Sequence, residues 1–175
     1  MRSRKVRDLI MGWLVDEGFE VKNFTLPEPA EVKWGLDVFT PPPLRVNLKI
    51  FKPKDRDDRV MMVLGVGISP EHLRKLAKLG PKGRLSFSSR LLRNILSVCN
   101  YCSVAIQPNP IDPQAVTVGI AMFDTEINEE SKPRFLERIM LLVNTFLAII
   151  STFNEEFPVI GDEGMKPGES TTTRL

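Results

Sequence analysis

An α+β fold is predicted from this sequence: an antiparallel β-sheet packed by N- and C-terminal helices, with a helical pair inserted between strands 4 and 5. The prediction rests on apolar residues at helical spacing near both ends, on alternation of apolar and polar residues between them, and on leucine-rich helical segments that interrupt the alternation once. The expected order is α-ββββ-αα-ββ-α.

Val6, Leu9, Ile10, Trp13 and Leu14 fall on one stripe of a first helix, and Gly18-Phe19 is a C-terminal stop with its hydrophobic contact residue. Residues 19–26 are expected as an edge strand closed by Pro27. Val32, Trp34, Leu36 and Val38 alternate with polar or small neighbours until the proline run 41–43, and Leu44, Val46, Leu48 and Ile50 alternate after it. Beyond the charged turn KPKDRDDR, "VMMVLGVGI" is apolar at nearly every position, which predicts a central strand covered on more than one side.

Ser69-Pro70-Glu71 opens a short helix that Gly80-Pro81 is expected to end, and a second is expected from Ser86 to Val98 with Ser86, Ser88 and Ser89 as caps. Cys102, Val104 and Ile106 then alternate, PNPIDP turns the chain, and Val116, Val118, Ile120 and Met122 form the antiparallel partner. A long helix is expected from about Ser131 to Phe157.

A chain of 175 residues with 42% hydrophobic content can bury one core unaided, so a single domain is expected over 1–157, with a disordered tail over 158–175. The net charge of +2 sets up no strong field toward nucleic acid or anionic lipid. The basic N-terminus runs into an amphipathic helix rather than a signal sequence, and the run Ile139–Ile150, broken by Asn144 and Thr145, is read as too short to span a bilayer. A cytoplasmic protein without a membrane partner is expected. The two cysteines do not make a disulfide framework, which agrees with a reducing compartment.

Cys99 and Cys102 have the C-x-x-C spacing of redox and zinc sites. Cys99 shares a helix stripe with Leu92 and Leu96, and Cys102 a strand face with Val104 and Ile106, so both are read as buried, free thiols. Zinc would need further ligands, and the one histidine, His72, is placed among solvated residues of another helix. Asp55, Asp57 and Asp58, interleaved with cations, read as a hairpin tip, and Gly65-x-Gly67 as small residues in a packed strand. No catalytic residue, metal or cofactor is assigned, and the protein is not expected to be an enzyme.

The last helix carries the partner expectation. Phe135, Ile139, Leu142, Phe146, Ile149 and Phe153 form one stripe, and Leu136, Met140, Val143, Leu147 and Ile150 an adjoining one, wider together than a helix on a sheet needs. The second stripe is the predicted site for a homodimer partner or a protein client. The alternative is nucleic-acid binding through Arg74, Lys75, Lys78, Lys82, Arg84, Arg90 and Arg93, where only Phe87 offers a ring for stacking.

The first helix with "WLVDEGFEV", the consecutive strands, the inserted helices, the two-stranded return and the long final helix together resemble the type III secretion chaperone-like fold over roughly the first 157 residues. They also resemble an archaeal family of uncharacterised cytosolic proteins with the same plan. The resemblance implies a dimer that binds extended segments of other proteins rather than catalysing a reaction. The chain departs from secretion chaperones in lacking their strongly acidic balance.

Overall fold

The computed structural model describes residues 2–24 and 32–158; the expected tail lies, from residue 159 on, outside the described residues. Along the chain run α1 (Arg2–Asp16), β1 (Glu20–Asn23), β2 (Val32–Phe39), β3 (Asn47–Pro53), β4 (Arg59–Gly67), α2 (Pro70–Ala77), α3 (Gly80–Val98), β5 (Ser103–Asn109), β6 (Asp112–Phe123) and α4 (Lys132–Glu156). The order is the predicted one. The strands form one six-stranded sheet in the order β1-β2-β3-β4-β6-β5, with β1 at an edge as expected. By contacts the chain gathers into two compact units, Met1–Leu64 with Gly119–Leu142, and Gly65–Val118 with Val143–Leu175.

In the first unit α1 ends because Gly18 takes a φ of 80°, and the Phe19 amide then donates to the Leu14 carbonyl at 2.9 Å. Val6, Ile10, Trp13 and Leu14 are buried, with the Trp13 ring 5.5 Å from that of Phe135. Leu36, Val38, Leu48, Ile50, Val60 and Met62 close the same core from the strands. Antiparallel registers such as Leu36↔Ile50 and Ile50↔Met62 set these side chains in rows across the sheet.

The expectation that β4 is covered on more than one side needs correction. Val60, Met62, Leu64 and Val66 are buried, but Met61 and Val63 are only half-buried and Gly65 is exposed. Among the described residues one face of the strand is fully covered, and an apolar run alone does not reveal that its other half is less so. On that open face Gly35 is needed by packing: a Cβ there would run into the ring of Phe24.

The second unit has a core of Leu76, Phe87, Leu91, Ile95, Val116, Val118, Phe146, Ile149 and Phe153. Ser69 caps α2 as predicted, accepting from the His72 amide at 3.2 Å. α2 ends at Ala77, just ahead of Gly80-Pro81 as expected, but α3 starts there rather than at Ser86: Gly80 takes a φ of 67° and Pro81 occupies the first turn. Ser86, Ser88 and Ser89 therefore sit inside the helix and are not its caps. Ser88 is buried and donates to the Pro110 carbonyl at 2.7 Å, while Ser89 donates back to Leu85 at 2.9 Å.

Candidate functional site

Of the predicted partner residues on α4, Met140 and Leu147 are 50% and 43% exposed, Leu136 and Ile150 are half-buried, and Val143 is buried. The first stripe, Phe135, Ile139, Leu142, Phe146, Ile149 and Phe153, is wholly buried. Much of the expected apolar excess is thus taken up by the protein's own core, and Val143 is unavailable to a partner. What remains is a narrower line. Glu137, Met140, Asn144, Leu147, Ser151 and Asn154 are exposed and follow one another at alternating spacings of three and four, the seam spacing of paired helices. Leu136 and Ile150 flank it on one side, Leu141 and Ala148 on the other, all half-buried. No charged residue occurs from Ile139 to Asn154.

The helix that carries Ile139–Ile150, Glu129–Glu156, is by length and composition alone long and apolar enough to cross a membrane, an 18-residue window of it having a mean hydropathy of 1.6. Of that window 44% is buried inside the protein.

The seven cations of α2, α3 and the turn between them do not act as one free group. Lys75 pairs with Glu71 at 3.2 Å, Arg90 pairs with Glu156, and Arg84 donates to the Ile111 carbonyl at 2.7 Å. Arg74, Lys78, Lys82 and Arg93 are exposed. Phe87, the one ring the sequence offers there for stacking, is 1% exposed in the core. Beside these cations lies a cleft of about 140 Å3 lined by Leu73, Leu76, Ala77, Arg84, Asp112, Pro113 and Gln114.

His72 is corrected most sharply. It is buried, not solvated, and its ring lies 5.2 Å from that of Phe153 and 6.1 Å from that of Phe157. Nδ1 lies 3.0 Å from the Ser69 hydroxyl, and Nε2 completes no hydrogen bond of normal geometry. Burial pushes its pKa below the ordinary value and the Lys75 charge adds to this; Glu71 and the Phe157 backbone oppose it less strongly.

A second buried group was missed in the sequence. Lys52 projects from β3 into the core and donates to Asp124, which follows β6, and it lies 3.2 Å from Asp57 in the hairpin tip. Burial alone would depress the amine's pKa, but the hydrogen bonds to Asp124 and Asp57 outweigh it and hold the group above its usual value, fully charged. Asp124 Oδ1 has no hydrogen-bond partner. Nothing in the alternation of Leu48 and Ile50 announces that the next inward position is an ion pair.

The cysteines are buried as predicted, at 1% and 8% exposure, but they are not free thiols: Cys99 and Cys102 form a disulfide with Cα atoms 5.4 Å apart. α3 ends at Val98, Cys99 is extended, and the Cys102 amide turns back to the Cys99 carbonyl at 3.4 Å, which brings the side chains together. The disulfide removes the support that the cysteine count lent to a reducing compartment. Among the described residues no three His, Cys, Asp or Glu side chains gather as a metal site.

Comparison with known proteins adds a family and a fold. The family described as "Uncharacterized conserved protein (DUF2299)" matches residues 6–153. A crystal structure of an uncharacterized protein from Methanothermobacter thermautotrophicus is similar at a TM-score of 0.72 and 18% identity, over 87% of this chain and 99% of that one. At that identity the likeness is one of fold. No curated protein matches the chain.

Proposed function

The chain belongs to the uncharacterized conserved family DUF2299, and we propose that it is a non-catalytic, chaperone-like assembly module that pairs with a second copy of itself along the outward line of α4. The carrying observation is the uncharged, exposed seam from Met140 to Asn154. Exposed apolar side chains scattered singly need no explanation, but a helix that presents Met140 and Leu147 at seam spacing, between half-buried flanks, is suited to a facing helix.

A second copy is favoured over an unrelated segment by charge. Arg134 and Glu155, both exposed, occupy the same flanking position of the seam and are three heptads apart, one at each end of the uncharged stretch. Two antiparallel α4 helices related by a two-fold axis would set Arg134 of each copy beside Glu155 of the other. Met140 and Leu147 would lie on either side of the axis. Replacement of both by glutamate, with molecular mass as readout, tests the proposal.

A further inference from the structure

Aromatic rings and cations coincide on the open face of the first unit's sheet, not on the basic helices. Phe39 and Phe51 point outward from β2 and β3, Phe123 ends β6 at 45% exposure, and Phe24 lies over Gly35 with its ring edge-on to Phe51, centroids 6.4 Å apart. A cation rests against three of these rings. Lys22 and Arg45 lie 5.5 and 5.1 Å from the centre of Phe39, Lys49 4.6 Å from Phe24, and Arg59 4.9 Å from Phe123. The register sets Gly35 opposite Phe51 and Phe39 opposite Asn47, so Phe39 and Phe51 mark a diagonal about 14 Å apart.

We propose that this face binds single-stranded nucleic acid: phosphates draw off the cations that lie over Phe39 and Phe123, and bases stack on the rings so uncovered and on Phe51. Rings supply sequence-tolerant contact area, and neighbouring cations track the backbone. Carboxylates share the face as well: Glu20 pairs with Lys22 and Arg45, Asp37 with Lys49 and Asp58 with Arg59, and Glu126 accepts from the Phe123 amide at 3.1 Å. Such exposed pairs hold their partners weakly, so a phosphate can replace the carboxylate. Leaving out Lys52, which is buried and paired with Asp124, residues 20–24 and 32–64 carry seven Lys and Arg against five Asp and Glu, a small excess of positive charge. The basic helices have more charge but no accessible ring, because Phe87 is buried. This site is separate from the α4 seam, so its failure leaves the proposed pairing untouched.

The test is fluorescence anisotropy of labelled oligothymidylate and oligouridylate with the full chain, from about 50 to 200 mM salt. Binding should weaken as salt rises, fall about tenfold in Phe39→Leu and Phe123→Leu, and recover in Phe123→Tyr, which keeps a stacking ring. Lys49→Gln and Arg59→Gln should each flatten the salt dependence. Circular dichroism melts confirm that the variants are folded. Absence of binding at the lowest salt overturns the proposal, as does binding unchanged in both leucine variants but lost in Lys78→Glu with Lys82→Glu.

Discussion

Lys52 and Asp124, 72 residues apart in the chain, form an ion pair whose side chains are only 2% and 12% exposed. It ties β3 to the turn after β6 within the first unit. Removing one partner leaves a buried charge, which is far more costly than replacing both. Asp124→Ala should therefore destabilise the fold by about 3 kcal/mol, the low end for such a break because Asp57 still reaches Lys52. Lys52→Met combined with Asp124→Leu should recover most of that loss. Urea unfolding of the two variants checks this, and equal destabilisation of single and double variants would count against it.

His72 should make the fold sensitive to mild acid. Its folded pKa lies below the unfolded value of about 6.5, so the unfolded chain takes up the proton first. The stability it confers is complete above about pH 6.5 and is lost as pH falls from there toward the depressed folded value. The glutamates and aspartates with lowered pKa values, Glu20, Asp57 and Asp58, act lower, below the ordinary carboxylate range. The urea midpoint of the wild type should decline as the pH falls below about 6.5, and His72→Phe should remove that part of the decline. An identical pH profile in the variant would show that the ring does not titrate as described.

The disulfide closes a loop of only a few residues, so the chain-entropy estimate for its removal is about 2 kcal/mol. Cys99→Ala with Cys102→Ala should lower stability by that order without unfolding the protein. Alkylation with denaturant but without reductant should add no label, and reduction should expose two reactive thiols. Labelling before reduction would mean that the pair is not joined.

The fold was largely legible because alternation and helical spacing are local consequences of one covered face. Gly18 and Ser69 announced their caps for the same reason, since a positive φ and an accepting hydroxyl belong to particular residue types. Features that depend on pairing across the chain were not legible. Lys52 reads as another polar residue of β3 until Asp124 is beside it, and His72 reads as solvated until Phe153 and Phe157 pack over it. Gly80-Pro81 marked the end of α2 but hid the start of α3, because the same dipeptide can end one helix and begin the next. The α4 stripes were visible as periodicity, but which of them the core consumes depends on helices and strands distant in sequence. Val143 went inward and Met140 did not.

The pairing of α4 is tested most directly by the mass of the full chain in solution, measured by light scattering across the micromolar range. A particle of twice the 19.8 kDa chain mass is predicted for the wild type, and a folded monomer for Met140→Glu with Leu147→Glu. A wild-type monomer at every concentration, or a dimer that persists in the double variant, would contradict the account.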